Sequence, residues 1–232
     1  MSSPRPPHPF HLLSLLLLVV VPLFIVGEIA EDLFEKQRFV FETPLMQMVH
    51  AHTTPALLHF SVFLHHLGGP VVMGSVFVLI PVTLWLLRQH YLALFSLVGL
   101  GGAVVLNGLM KVFFHRARPE LWPRVVVENG PSFPSGHSMF AAALMTVLTV
   151  LAWRTPWRWP VLVFGVLYTL SMCFSRLVLG VHYPTDVLAG ALAGLAWVYG
   201  VYRLIGGREG YRAATAPPTD RFTEYPVGHD VR

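Results

Sequence analysis

An arginine, a histidine and an aspartate stand close together in Ser175-Arg176-Leu177-Val178-Leu179-Gly180-Val181-His182-Tyr183-Pro184-Thr185-Asp186. Apolar runs flank this stretch, Val161 to Phe174 before it and Val187 to Tyr199 after it. Charge beside hydrocarbon is costly, so such residues usually mark a functional site. Pro184 suits the first turn of a helix, where its missing N–H is no loss. Asp186 then falls in that first turn, where the helix dipole favours an anion. His182 sits just before the helix start, within reach of Asp186. A carboxylate holding an imidazole in one tautomer is what a nucleophilic or basic histidine needs. The plain alternative is a helix cap plus a snorkelling arginine.

Two further polar stretches carry similar chemistry. Lys111-Val112-Phe113-Phe114-His115-Arg116-Ala117-Arg118-Pro119 closes an apolar run. Lys111 and Arg118 are two helical turns apart and share a face if the helix persists, while Pro119 biases it to stop. Pro131-Ser132-Phe133-Pro134-Ser135-Gly136-His137-Ser138 opens the next run. Ser135 and Gly136 there can present a hydroxyl and free backbone N–H groups at a helix N-terminus, a ready anion site.

The elements that must position these residues are apolar helices. Of the 232 residues 54% are hydrophobic and 12% charged, about half the roughly 25% of soluble domains; with mean hydropathy +0.60 this reads as an integral membrane protein. Apolar runs predict an all-α bundle of six spans. They cover residues 11–30, 71–87, 91–115, 135–153, 161–179 and 184–205. The first could be a cleaved signal peptide, but it carries little charge ahead of it and no clean small-x-small site, so retention as a span is the expectation. Residues 28–68, with Thr43-Pro44 and Thr54-Pro55 as helix starts, predict short interfacial helices between the first two spans. Residues 1–10 form a Pro-rich, disordered head, 11–206 the membrane domain, and 207–232 a mobile polar tail. The single cysteine, Cys173, lies in an apolar run and reads as packing. Net charge is +4 with no basic tract, which argues against nucleic-acid binding. Of the histidines at 50, 52, 59, 65 and 66, His50 and His52 point apart on a helix, so these residues read as interfacial decoration and not a metal site.

Two spans separate the Ser135 and His182 stretches, so all three polar stretches meet one membrane face. Lys111, Arg118 and Arg176 with two helix N-termini suit a phosphate dianion; the two histidines suit a nucleophile and an acid. Arg88, Arg154, Arg158, Arg203, Arg208 and Arg212 mark the other face, with Arg5. The positive-inside rule then puts both termini in the cytoplasm and the site outside. The basic residues of 111–124 break that rule, and chemistry would supply the reason.

These stretches resemble the motifs of the type 2 phosphatidic acid phosphatase (PAP2) superfamily. Lys111 to Pro119 looks like KxxxxxxRP, Pro134 to His137 matches PSGH, and Ser175 to Asp186 matches SRxxxxxHxxxD. The resemblance covers about residues 70–205, and the usual membrane-bound plan is six spans. It implies that Lys111, Arg118 and Arg176 hold phosphate with Ser135 and Gly136. It further implies that His182, oriented by Asp186, attacks phosphorus, that His137 protonates the leaving group, and that water hydrolyses a phosphohistidine without any metal or other cofactor. Arg116, Glu120 and Tyr183 lie near the motifs but outside their core pattern.

The function expected is a lipid phosphatase acting on a phosphate or diphosphate head, such as undecaprenyl diphosphate, phosphatidylglycerol phosphate or phosphatidic acid, with a bacterial inner membrane as its setting. A lipid phosphotransferase would use the same residues. A vanadate haloperoxidase shares the motifs but is soluble, and a lipid transporter with a relict site would not keep every position.

Overall fold

The computed structural model describes residues 9–36 and 39–205, with side chains from residue 12. Among these residues all regular structure is helical. Helix α1 (Pro9–Leu15) passes through a π-helical segment (Leu16–Val20) into α2 (Val21–Phe34). Two short helices follow, α3 (Glu42–Ala51) and α4 (Pro55–Leu67), and then α5 (Pro70–Leu86), α6 (His90–Phe114), α7 (Gly136–Ala152), α8 (Arg158–Val178) and α9 (Pro184–Leu204). The expected head lies outside the described residues except for Pro9 and Phe10, which open α1; the expected tail lies outside altogether.

Four helical stretches are long and apolar enough to cross a bilayer: Leu12–Phe34, α6, α8 and α9. A fifth exists if α4 and α5, bent 48° to one another at Gly68–Gly69, count as one broken span. The runs expected as the second and fourth spans are α5 and α7, each 17 residues, about 25 Å at 1.5 Å per residue and so shorter than the usual crossing of about 20 residues. Pro81 stays inside α5, which continues through it.

The helices bury one stripe each and offer the rest to lipid. On α6, Leu92, Phe95, Ser96, Gly99, Leu100 and Ala103 are buried at the three-and-four spacing of one helical face. Val104, Val105, Leu109 and Val112 on the other side are exposed. Helix α7 is central, packed between α6, α8 and α9. It meets α9 at close range because of Gly190 and Gly194, where a Cβ would run into the backbone of Ser135 and Met139. Backbone contact of this kind is how helices associate where hydrocarbon surrounds them and no hydrophobic force separates helix from lipid.

The short helices obey their caps, with one difference. Thr54 does cap α4, its hydroxyl accepting from the Leu57 N–H at 3.3 Å. Thr43 does not cap α3, which begins one residue earlier at Glu42 with Phe41 at the N-cap. The reason is Glu42 itself, whose carboxylate is drawn into the buried polar cluster described next.

Candidate active site

Helix α6 ends at Phe114 because His115 takes a left-handed conformation, φ 46°. The two-turn stripe joining Lys111 to Arg118 is therefore broken. The residues still converge: Lys111 Nζ donates to the Pro131 carbonyl at 2.6 Å, and Arg118 Nη2 reaches the same oxygen at 3.4 Å. Arg118 also donates to the carbonyls of Gly130 at 3.0 Å, Val181 at 3.0 Å and Asn129 at 3.3 Å. It lies in an irregular connection, 115–135, long enough to need a function.

Ser135 is the N-cap of α7. Its Oγ lies 3.4 Å from the Ser138 N–H and accepts from it, with the Ser138 hydroxyl 3.1 Å away. The expected free hydroxyl is thus engaged in capping, and the Ser135 N–H donates to the Asp186 carbonyl at 3.0 Å. Gly136 and His137 supply the first amides of α7, which have no partner within the helix. The Ser135–Asp186 bond ties the start of α7 to the start of α9.

His182 and Asp186 come together across the N-terminus of α9, Nδ1 to Oδ2 at 3.4 Å. The pair is at ion-pair distance, with His182 Nδ1 facing the carboxylate but short of a close hydrogen bond. Asp186 Oδ2 accepts from the Tyr183 N–H at 2.9 Å. The tautomer of His182 follows from its other nitrogen. Arg118 Nη1 stands 3.1 Å from Nε2, and a guanidinium only donates. Nε2 therefore carries the lone pair and Nδ1 the proton. Burial pushes the His182 pKa below its ordinary value, against Asp186, which favours the charged form; the imidazole is held neutral.

Arg176, fully buried near the end of α8, donates through Nε and Nη2 to Ser175 Oγ at 3.2 and 3.1 Å. Its Nη1 meets His65 Nδ1 at 3.0 Å and Glu128 Oε1 at 3.4 Å. His137 donates from Nε2 to the His65 carbonyl at 3.3 Å, which turns Nδ1 toward Glu128 Oε1 at 3.5 Å. All eight residues singled out in the sequence, Lys111, Arg118, Ser135, Gly136, His137, Arg176, His182 and Asp186, thus meet at one end of the bundle.

Five residues that the sequence did not assign to the site complete the cluster: Arg116, Glu42, Thr185, Glu128 and His65. Arg116 bridges two carboxylates, Nη1 to Asp186 Oδ1 at 2.6 Å and Nη2 to Glu42 Oε2 at 2.6 Å, while its guanidinium covers the Tyr183 ring at 4.2 Å. Thr185 Oγ1 donates to Glu42 Oε1 at 2.5 Å. Glu128 faces Arg118, Arg176 and His137. His65 belongs to the site and is not interfacial decoration, whereas His50 stacks on Trp122. By contrast Glu120 is exposed and pairs only with Arg124, 3.6 Å away.

The ligand atoms of His65, Glu128 and His137 lie within 4.8 Å of one another, a spacing a metal ion could bridge. The surrounding charge opposes a cation. Arg176 donates to the His65 nitrogen and stands 3.4 Å from the Glu128 oxygen, with Arg118 3.2 Å from the other oxygen. Guanidiniums in this geometry attract phosphate or carboxylate.

An apolar groove of about 230 Å³ runs from this cluster between the α4–α5 bend, α7 and α8. Leu67, Met73, Phe140, Leu144, Phe164 and Met172 line it together with His137 of the polar cluster. At Gly68 a side chain would strike the His137 ring.

The chain is similar to known proteins. Phosphatidylglycerophosphatase B of Bacillus subtilis is 35% identical over 135 residues, an alignment covering 56% of this chain and 66% of that protein. An undecaprenyl-diphosphatase of Sulfolobus acidocaldarius is 28% identical over 171 residues, 70% of this chain and 77% of that protein. The crystal structure of a transmembrane PAP2 type phosphatidylglycerolphosphate phosphatase from Bacillus subtilis superposes with TM-score 0.67 at 26% identity, covering 83% of this chain and 94% of that one. The family model of the PAP2 superfamily matches residues 91–209. That match takes in over half of the chain and all three converging stretches, and the protein belongs to the PAP2 superfamily.

Proposed function

We propose that this protein, a phosphoric ester hydrolase of the PAP2 superfamily, is a membrane lipid phosphatase that removes a terminal phosphate through a phosphohistidine. The observation that carries this reading is the position of His137. Its ring lines the apolar groove and also stands 3.5 Å from Glu128, which Arg118 and Arg176 hold. A head at the cluster and a tail in the groove would put the ester bond at that ring. The polar heads named for its relatives, phosphatidylglycerophosphate and undecaprenyl diphosphate, are of this kind.

In this reading Lys111, Arg118 and Arg176 neutralise the phosphoryl oxygens, helped by the amides at the start of α7. Arg118 turns its N–H from His182 Nε2 to a phosphoryl oxygen, which frees the lone pair. Nε2 then attacks phosphorus as the bond to the lipid oxygen breaks, and His137, charged as an imidazolium beside the bound dianion with its Nε2–H kept on the His65 carbonyl, gives that oxygen its Nδ1 proton. Water, deprotonated by His137, then attacks the phosphohistidine and releases phosphate and neutral His182. Asp186 stabilises the imidazolium character of His182 in between.

We read the topology as six crossings, with α5 and α7 as short ones, both termini cytoplasmic and the site outside. Arg88, Arg154, Arg158 and Arg203 support this, since connectivity puts them at the ends of the helices remote from the site. The head 1–10, the membrane domain 11–206 and the tail 207–232 remain our division of the chain.

The test is phosphate release by purified protein from phosphatidylglycerol phosphate, phosphatidic acid and undecaprenyl diphosphate, beside p-nitrophenyl phosphate. Leu144→Trp, filling the groove, should slow the lipid substrates at least tenfold, about 1.4 kcal/mol, and leave p-nitrophenyl phosphate within about twofold of wild type. Equal losses on both would show that the groove holds no lipid tail.

A further inference from the structure

Glu128 is not in any of the three motif stretches, yet it is the acid closest to the cation cluster. Its two oxygens divide between the arginines, Oε2 at 3.2 Å from Arg118 Nη2 and Oε1 at 3.4 Å from Arg176 Nη1. Oε1 also stands 3.5 Å from His137 Nδ1. These are the groups that would grip a phosphoryl oxygen and protonate a leaving group. Burial alone would raise the Glu128 pKa, but the charge around it, with the Arg118 and Arg176 guanidiniums as its standing cations, holds it below the usual carboxylate range. The carboxylate is a standing anion in the phosphate position.

The backbone around it is fixed from both sides. Val126 is buried against Leu179 and Val181, and Arg118 binds the carbonyls of Asn129, Gly130 and Pro131. Val127 between them is 85% exposed. With the backbone so fixed, a ligand would displace Glu128 by turning its side chain and not by moving the loop. The other acids at this end cannot take its place, since Asp186 and Glu42 are both bound to Arg116.

We propose that Glu128 is the protein's own counter-ligand, displaced by a terminal phosphate dianion and not by a phosphodiester monoanion, so that it keeps the bulk phospholipid of the membrane from occupying the site. A terminal phosphate carries a charge of about −1.5 to −2 at pH 7, its second pKa being about 6. A diester carries one charge, the same as the carboxylate it would have to replace, and the exchange gains nothing electrostatically. The surrounding diester lipids are in great excess; displacing Glu128 costs every ligand alike and leaves the ratio of affinities unchanged, but it lifts the diester's apparent Kd above its membrane concentration while the dianion still binds. This inference rests on the phosphatase reading above.

The test uses full-length protein in detergent and compares wild type with Glu128→Gln, which removes the charge, and Glu128→Asp, which shortens the arm by one methylene. Calorimetry with inorganic phosphate needs no turnover. Both variants should bind phosphate more tightly, Glu128→Gln by at least about tenfold. In mixed micelles phosphatidylglycerol should become a competitive inhibitor of Glu128→Gln at concentrations that leave wild type unaffected. With slower product release, kcat and KM should fall together. Phosphate affinity unchanged or weakened in both folded variants, with wild type binding phosphate, would overturn the role of Glu128 alone. Failure of wild type to bind phosphate at all would overturn the phosphate site beneath it. Should Glu128→Gln not fold, Glu128→Asp binding phosphate like wild type overturns the proposal.

Discussion

Arg116 Nη1 and Asp186 Oδ1 are 2.6 Å apart, closer than Asp186 is to the histidine it faces. Arg116 also binds Glu42, 74 residues away in sequence. Arg116 thus stands between two buried carboxylates, Asp186 and Glu42, and fixes Asp186 from behind. Arg116→Ala would leave two buried carboxylates without their cation. We expect kcat to fall at least tenfold, about 1.4 kcal/mol. With Asp186 no longer neutralised, His182 should hold its proton more strongly, and the acid limb of kcat/KM should move to higher pH. Arg116→Lys should restore part of the rate, and pH–rate profiles of the three proteins decide it. An unmoved acid limb would make Arg116 a scaffold residue only.

The wild-type pH profile follows from the neutral state of His182. Its pKa is depressed, chiefly by burial, and the attacking form is the unprotonated one. Activity should therefore survive acidification until pH drops below the ordinary imidazole value of 6.5. The limb of kcat/KM assigned to the enzyme, after correction for the second ionisation of the substrate, should lie below that value. A limb above it would mean that Asp186 outweighs burial.

The two histidines have separable duties. His182→Ala should be inactive on every substrate, because the bond to phosphorus cannot form. His137→Ala should lose most on lipid substrates with poor leaving groups and keep some turnover of p-nitrophenyl phosphate. Rapid quench with ³²P-labelled substrate under alkaline conditions should label wild type and leave His182→Ala unlabelled. Label on the variant would assign the nucleophile elsewhere.

Sidedness can be read by chemical labelling. Ser132, next to the site, is fully buried and bonded to the Ala117 carbonyl, so a probe belongs on an exposed neighbour. In a Cys173→Ser background, Glu120→Cys should react with an impermeant maleimide in intact cells and Pro156→Cys should not. The reverse pattern would invert the topology.

The motif residues were legible because each sits where an apolar run stops, and a charge there stands out against its surroundings. Glu128 was not, since a lone glutamate in an irregular connection has no period to betray it. Arg116 and Glu42 each gave half a signal: one broke the positive-inside rule, the other opened a helix one residue before the expected cap. Only the fold joins them. The span count was less legible than the site. Hydropathy marks an apolar run, but it does not show that α5 and α7 stop at 17 residues, or that α4 continues α5 around a 48° bend.

The close seam of α7 and α9 has a consequence for how such a protein can change over generations. Gly190 and Gly194 bring backbone against backbone, and the Ser135 amide bonded to the Asp186 carbonyl locks the two helix starts together. The reactive groups inherit their spacing from main-chain atoms that most substitutions leave alone. Outward residues such as Val104, Leu109, Leu167 and Leu170 touch neither seam nor chemistry. They are free to drift with the thickness and fluidity of whatever bilayer the organism builds, while the inner frame stays fixed.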